Sequence, residues 1–197
     1  MILRTVIFFL LCFTLEIFHV LFVLADDQTD SSISESSEIV TLDSLFAELE
    51  QAESLAEAEK VEQMIWKRWH KHKIPRISQE LWLGTRYLQE KNFKKALYVF
   101  DRIIEKAPAF SEAFNKRATT YFLMKKYDKS LMDIKVTLTL EPRHFGALSG
   151  MGLIFMEFGD YQRALVAFTK VLKIYPLSSS ARANMKVLER ELNLKVL

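Results

Sequence analysis

The apolar residues of segment 77–178 recur at the three-to-four-residue spacing of helix faces. In its first third, an apolar stripe that ends at Leu88 is followed by a short polar break, and a second stripe begins at Phe93. Pro108 ends the second stripe, because proline cannot continue a helix. The pattern therefore predicts two short antiparallel helices joined by a tight turn.

The same pattern occurs three times with a period of 34 residues, in segments 77–110, 111–144 and 145–178. Small residues, large apolar residues and prolines occupy equivalent positions in the three segments. These positions hold Gly84, Ala118 and Gly152; Tyr87, Tyr121 and Phe155; Ala96, Ser130 and Ala164; Phe100, Ile134 and Phe168; and Pro108, Pro142 and Pro176. A fixed period of this length is typical of stacked helix pairs, since one pair buries its apolar face only against its neighbours.

The order of these residues resembles the tetratricopeptide repeat. The third segment carries the resemblance most completely, through Met151, Gly152, Phe155, Gly159, Tyr161, Ala164, Phe168 and Pro176. The second segment departs from the family pattern at Arg117, at the turn residues Lys125 and Lys126, and at Thr137. The first segment departs from it at Glu80. The resemblance covers a little over half of the chain, and it implies an all-α fold, a right-handed α-solenoid of helix–turn–helix units.

In the family that the chain resembles, the first helices of the units line a concave groove that holds peptides or helices of partner proteins. Carried over by position, the groove residues of this chain are Leu81, Thr85, Leu88, Gln89, Asn115, Thr119, Phe122, Leu123, Ser149, Leu153, Met156 and Glu157. This lining mixes apolar with amide and hydroxyl groups, so it favours an apolar helix or an extended peptide of another protein. Some family members grip chaperone tails with a carboxylate clamp. The clamp positions hold Leu81, Thr85, Gly146 and Gly150 here, which disfavours such a ligand.

The segments next to the repeats predict further helices. Segment 41–76 predicts a helix pair, and we expect it to cap the open end of the array, because a terminal unit needs a different outer face. The alternative is that its tryptophans, Trp66 and Trp69, form a ligand site. Segment 179–197 predicts one helix with an apolar stripe, which we expect to close the array as a solvating helix. A dimerisation helix is the alternative for this segment.

The start of the chain predicts export. Residues 1–25 combine the basic Arg4 with an apolar run over 5–24, which indicates a signal peptide or, since the run is long enough to span a bilayer, a signal anchor. Either one puts the rest of the chain across a membrane. We therefore expect a bacterial periplasmic or secreted protein, with a membrane-anchored protein facing the periplasm as the alternative. Residues 26–40 are rich in serine and acidic residues and predict a disordered spacer.

The charge changes sign along the chain. Residues 26–65 hold twelve Asp and Glu against one Lys, whereas residues 66–197 hold 25 Lys and Arg against twelve Asp and Glu. We interpret the basic part as a solvated surface or a surface that contacts the acidic spacer, and an acidic partner or an anionic lipid surface is the alternative. Because exported proteins seldom meet nucleic acid, we expect no nucleic-acid partner.

Candidate chemistry is sparse in the sequence. The single cysteine, Cys12, excludes an intramolecular disulfide and a cysteine-based metal site. His70 and His72 are two residues apart, which on a helix points them away from each other, so they predict no metal pair. The sequence carries no Gly-rich phosphate loop and no hydrolase or metalloprotease motif. We therefore predict no catalytic residues, no metal and no cofactor. The favoured hypothesis is a non-catalytic scaffold that binds another protein; the alternative is a membrane-tethered structural protein whose basic outer face docks anionic lipid or polymer.

Overall fold

The computed structural model describes residues 41–194, which form nine α-helices. The helices are α1 Leu42–Gln51, α2 Leu55–Trp69, α3 Pro75–Gln89, α4 Phe93–Lys106, α5 Ser111–Leu123, α6 Tyr127–Leu140, α7 Phe145–Glu157, α8 Tyr161–Ile174 and α9 Ser179–Leu194. The predicted leader 1–25 and spacer 26–40 lie outside the described residues. Within residues 41–194, none of the helices is both long and apolar enough to span a bilayer.

The helix ends carry side chains that satisfy free backbone groups. Thr41 caps α1 by accepting a hydrogen bond from the backbone N–H of Ser44, and Asp160 caps α8 by accepting one from Arg163. The turns after α3, α5 and α7 each place one residue in the left-handed region, namely Lys91, Lys125 and Gly159. Each 34-residue segment thus contributes one helix–turn–helix unit, namely α3–α4, α5–α6 and α7–α8, although α3 begins at Pro75, before the start of the first segment at residue 77.

Small residues let the two helices of a unit cross closely. A Cβ atom added at Gly84 would lie 2.5 Å from Cε1 of Phe100, and one added at Gly152 would lie 2.7 Å from Cε2 of Phe168. Both phenylalanine rings are buried in the core, so they cannot move aside cheaply. Of the other repeat positions, Ala96, Ala118, Ser130, Ile134 and Ala164 are buried; Tyr87, Tyr121, Phe155 and Pro176 are half-buried; and Pro108 and Pro142 are exposed.

The first helices of the three units lie side by side, since α5 contacts both α3 and α7. The second helix of each unit packs against its own first helix, and the second helices of the first two units also pack against the first helix of the next unit. Helix α9 follows the third unit and packs on α8, with Ala181 and Leu188 buried. We call the surface lined by α3, α5 and α7 the inner face.

The predicted cap 41–76 does not cover the open end of the array. Its two helices, α1 and α2, share one core cluster with α7, α8 and α9. Leu49 and Ile65 are buried there together with Phe168 and Leu188. This pair of helices, which we call the N-terminal hairpin, therefore packs on the third unit and not on the first.

One difference between the two ends of the array lies at the start of α3, in the first unit. Arg76 and Glu80 stand there at positions where the third unit buries His144 and Leu148. Glu80 pairs with Lys106, whose Nζ is 2.9 Å from Oε1 of the carboxylate. A charged end of this kind matches the apolar stripe of the hairpin less well than the apolar surface of the third unit does.

Candidate functional site

The N-terminal hairpin ends on the inner face, at the start of α5 and α7. Trp69 stacks on the imidazole of His144, with ring centroids 4.0 Å apart and an interplanar angle of 7°. The ring of Trp66 meets that of Phe145 edge-on, with centroids 5.4 Å apart. A Cβ atom added at Gly146 would lie 2.7 Å from Cη2 of Trp66, so the absence of a side chain at Gly146 makes room for the hairpin. The two tryptophans therefore fill a site on the chain's own repeat units.

A buried carboxylate lies beneath the hairpin. Oε2 of Glu112 is 2.9 Å from Nε2 of His144 and accepts a hydrogen bond of 3.1 Å from the side-chain amide of Asn115. Its other oxygen, Oε1, lies 3.4 Å from both Nζ of Lys116 and Nε2 of His70. Burial raises the pKa of Glu112, but Lys116, His144 and His70 outweigh that effect and lower the pKa to about 2. The carboxylate is therefore ionised at neutral pH and ties the end of the hairpin to α5 and to the start of α7.

Three of the predicted groove residues lie in the interior. Leu81 and Leu88 are 1% and 4% exposed and belong to the core cluster that joins the first unit to the start of α5. Asn115 is buried because its side chain donates to Glu112 under the hairpin. None of these three side chains can contact a partner in this arrangement, since neighbouring helices or the hairpin already cover them.

The other predicted groove residues keep part of their surface. Thr85, Thr119, Phe122, Leu123, Ser149, Leu153 and Met156 are half-buried, and Gln89 and Glu157 are exposed. Leu153 and Met156 pack along the core cluster that holds the hairpin. The hydroxyls of Thr85 and Thr119 each donate, at 2.9 Å, to a carbonyl one turn earlier in their own helix. Because these hydroxyls are engaged within the helix, the threonines add more apolar than polar character to the inner face.

Aromatic side chains connect the ends of α5 and α7. The ring of Tyr127 lies 5.6 Å from that of Phe122 and 5.5 Å from that of Phe158. The hydroxyl of Tyr127 donates to Glu157 at 3.2 Å. The structure therefore brings two predicted groove residues, Phe122 and Glu157, to one aromatic cluster at the C-terminal ends of the first helices.

Trp82 is an inner-face residue that the repeat pattern did not single out. It stands 34 residues before Lys116, whose Nζ lies 5.6 Å from the ring centre of Trp66 in the hairpin. Trp82 therefore faces the same side of the array, but at the first unit, and it is 63% exposed. The guanidinium of Arg86 lies 5.3 Å from its ring centre. The sequence did contain a signal for Trp82, because the equivalent positions of the next two units hold Lys116 and Gly150 and only the first unit places a large aromatic residue there.

The polar groups of this region serve contacts within the chain. Among residues 41–194, no group of three or more His, Cys, Asp or Glu side chains is placed to hold a metal ion. His70 faces Glu112, whereas Nδ1 of His72 accepts a hydrogen bond of 3.1 Å from the backbone N–H of Ile74. What the open part of the inner face offers is a contact surface of aromatic, apolar and amide groups.

Comparison with known proteins identifies the repeat. The family model described as tetratricopeptide repeat matches residues 147–178, in the third unit. A TPR repeat-containing protein of Rhizobium etli is 34% identical over 151 residues, which cover 77% of this chain and 74% of that protein. Small glutamine-rich tetratricopeptide repeat-containing protein 2 of Saccharomyces cerevisiae is 25% identical over 91 residues, which cover 46% of this chain and 26% of that protein.

Solved structures of TPR domains share the fold. The first TPR of Spaghetti, bound to an HSP90 peptide, superposes with a TM-score of 0.57 at 18% identity, covering 59% of this chain and 93% of that one. The Sgt2 TPR domain from Aspergillus fumigatus superposes with a TM-score of 0.57 at 21% identity, covering 60% of this chain and 80% of that one. The prediction of an all-α solenoid built from such repeats is confirmed.

Proposed function

The chain belongs to the tetratricopeptide-repeat family, and from this premise we propose that it binds a segment of a partner protein on the part of the inner face that the N-terminal hairpin leaves open. The family and the fold are typical of protein-interaction modules without catalytic activity. The observation that carries the proposal is Trp82, a large aromatic side chain that is 63% exposed on the inner face of the first unit. Exposed tryptophans are frequent energetic anchors of interfaces.

The chemistry of this surface favours an apolar segment of the partner. Trp82, Thr85 and Thr119 present rings and methyl groups, and half-buried Phe122 extends the apolar strip along α5. Exposed Gln89 adds an amide at the border. An amphipathic helix or an extended peptide with spaced apolar anchors matches such a strip.

A peptide with a C-terminal carboxylate is a poorer match. The Spaghetti TPR binds the HSP90 peptide SRMEEVD, and the second TPR domain of human RPAP3 binds an HSP70 peptide. In this chain the clamp positions predicted from the family hold Leu81, which is buried, and Gly146, which lies against Trp66 of the hairpin. The other two clamp positions, Thr85 and Gly150, are uncharged as well, so none of the four supplies a cation for a carboxylate.

The export predicted from residues 1–25 is part of the same proposal. It places the chain outside the cytoplasm, so its partner is another exported or membrane protein. Fractionation of cells that produce the full chain, with the N-terminal residue of the product determined by mass spectrometry, tests both export and cleavage. Recovery of the chain in the cytoplasm, still carrying Met1, would contradict this part of the proposal.

The test of inner-face binding is selection of peptides from a displayed random library with the full chain as target. We expect the selected peptides to carry spaced apolar residues, and Trp82→Ala to weaken their binding by at least about tenfold, as hot-spot residues do. Tyr98→Ala is the matched control, because Tyr98 is an equally exposed aromatic residue (62%) on the second helix α4. Peptide binding that survives Trp82→Ala, or that is lost equally with Tyr98→Ala, would contradict the proposal.

A further inference from the structure

Six exposed lysines lie where the first helix of a unit turns into the second. They are Lys91, Lys94 and Lys95 in the first unit and Lys125, Lys126 and Lys129 in the second. Within residues 41–194, none of these six ammonium groups pairs with a carboxylate; the lysines that do so are Lys106 and Lys116. The turns of the first two units therefore concentrate positive charge.

These turns lie on one edge of the array, which we call the turn edge. Lys91 and Lys125 occupy the same position of consecutive units and share a left-handed backbone, both with φ of 57°. Because α3, α5 and α7 lie side by side as equivalent helices, the turns that follow them are neighbours. Tyr127 at the second turn shows this directly, since its ring is 5.5 Å from Phe158 at the third turn and its hydroxyl donates to Glu157.

Repeated aromatic residues hold part of this charge in place. Nζ of Lys95 lies 5.3 Å from the ring centre of Tyr87, and Nζ of Lys129 lies 5.7 Å from that of Tyr121. An arginine takes the same position in the third unit, 4.5 Å from the centre of its ring partner. Contact with a ring limits the freedom of a long side chain, so these cations stay at the turn edge.

Acidic side chains offset little of the charge. Glu90 lies 3.7 Å from the guanidinium of Arg86, and Asp160 pairs with Arg163, so each of these carboxylates comes with its own cation. Asp128, and Glu157 of the third unit, whose carboxylate accepts a hydrogen bond from Tyr127, are the other acidic residues at the first two turns. The turn edge of these two units therefore keeps a clear positive excess.

The third turn adds an apolar group to the same edge. Phe158 follows the end of α7 and is 50% exposed, and Met124 is half-buried at the equivalent position of the second unit. Clustered lysines attract the phosphates of anionic lipids, and an exposed phenylalanine beside them can enter the boundary between headgroups and acyl chains. From this combination we infer that the turn edge docks on an anionic lipid membrane.

The type of cation favours lipid over an acidic protein. Arginine binds carboxylates through two parallel hydrogen bonds and is the residue suited to a specific acidic peptide. Arg86 at the first turn pairs with Glu90, and the described cations of the first two turns that pair with no carboxylate are lysines, whose compact ammonium groups suit a layer of many headgroups. The turn edge is also distinct from the exposed Trp82, so docking on a membrane and binding of a partner are separate properties of the chain.

The test measures contact at a defined position of the chain from residue 26 onward, the form that cleavage of the predicted leader leaves, so that the apolar run over 5–24 cannot itself bind the vesicles. This form holds no cysteine of its own, and an environment-sensitive fluorophore is attached at Gln162→Cys, an exposed position in the first turn of α8 on the turn edge. A second chain carries it at Ser179→Cys, an exposed position beyond the opposite end of α8. Vesicles contain either equal parts of phosphatidylglycerol and phosphatidylcholine or phosphatidylcholine alone.

We expect the emission to rise and shift to the blue with the fluorophore at position 162 and anionic vesicles, and not at position 179. The signal should disappear at about 0.5 M NaCl, because salt then screens charges beyond a few ångströms. A triple variant that reverses the charge at three of the lysines, Lys91→Glu, Lys125→Glu and Lys126→Glu, should bind the anionic vesicles at least about tenfold more weakly. The matched control, Lys170→Glu with Lys173→Glu and Lys186→Glu, changes the net charge equally at exposed positions of α8 and α9 and should bind like the unmodified chain. Circular dichroism checks that both triple variants keep their helices.

Three results would overturn the inference: equal responses at both positions, a response to phosphatidylcholine alone, or equal weakening by both triple variants. Binding to soluble poly-glutamate without a response to vesicles would also overturn it and indicate an acidic protein partner. The vesicle experiment can succeed or fail independently of the peptide-binding test of the proposed function. Vesicle binding as expected, together with peptide binding that ignores Trp82→Ala, supports the turn edge and contradicts the inner-face site.

Discussion

Trp69 stacks face to face on His144, and this contact joins the N-terminal hairpin to the junction of the second and third repeat units. The imidazole is held from two further directions. Nδ1 of His144 accepts a hydrogen bond of 3.2 Å from the backbone N–H of Ala147, which leaves Nε2 to donate to Glu112 at 2.9 Å. One buried side chain thus fixes the hairpin, the start of α7 and the carboxylate of α5 relative to one another.

The first prediction concerns the buried carboxylate. Glu112→Gln removes the negative charge that faces Lys116, His70 and His144, and we expect it to lower the free energy of unfolding by about 3 kcal/mol, as loss of one partner of a buried ionic cluster does. Urea denaturation measures the change. Glu90→Gln is the control, since Glu90 belongs to an exposed pair whose loss should cost less than about 0.5 kcal/mol. Equal effects of the two substitutions would show that the cluster adds nothing to stability.

The second prediction concerns pH. The pKa of Glu112 is lowered from 4.5 to about 2 in the folded chain, so its contribution to stability is present above the unfolded value and is lost as pH falls toward the folded value. Between pH 6 and pH 2, the stability difference between the wild-type chain and Glu112→Gln should therefore shrink by about 3 kcal/mol. Denaturation series at several pH values measure this difference. A difference that stays constant down to pH 2 would mean that Glu112 keeps an ordinary pKa.

The third prediction separates two kinds of helical glycine. Gly84→Ala places a methyl group 2.5 Å from the buried ring of Phe100, and we expect a loss of about 1–3 kcal/mol from overpacking. At Gly150 an added Cβ meets only Ile134, at an ordinary 3.5 Å, so Gly150→Ala should raise the stability by about 0.5–1 kcal/mol through helix propensity. Thermal unfolding of both variants measures the two changes in stability. Two changes of the same sign would contradict the assignment of Gly84 as a close-contact glycine.

The fourth prediction concerns an ionic bridge between two units. Arg117 donates to both oxygens of Asp133 at 2.7 Å and to Asp101 at 2.7 Å, and these carboxylates raise its pKa above the ordinary value. Arg117→Leu leaves buried Asp133 without its cation and should cost about 3 kcal/mol.

A double variant provides the matched control for this bridge. The first unit carries Leu83 and Val99 at the positions of Arg117 and Asp133. Arg117→Leu combined with Asp133→Val copies that pair and should return to within about 1 kcal/mol of the wild-type stability, because an apolar pair can replace a buried ion pair. A double variant as unstable as Arg117→Leu alone would show that the bridge itself, and not the stranded carboxylate, determines the stability.

The sequence predicted the parts of the fold that depend on local periodicity. The small residue at Gly84 and the large one at Phe100 repeat every 34 positions, and the structure brings Gly84 to Phe100 and Gly152 to Phe168 where the helices of a unit cross. The same period does not tell which of the predicted groove residues are exposed. The period assigns Leu81 and Thr85 to one face, but their exposure depends on what packs over that face, and Leu81 is buried.

By itself, the sequence determined the repeat, its helix pairs and its family, because these follow from residue spacing within a single unit. Only the tertiary structure decided where the N-terminal hairpin packs, since that depends on contacts between residues far apart in the chain. Gly146 illustrates the difference: in sequence it is a missing clamp residue, whereas in the structure it makes room for Trp66. The charged Arg76 and Glu80 at one end of the array, and the apolar surface at the other, together determine which unit the hairpin buries.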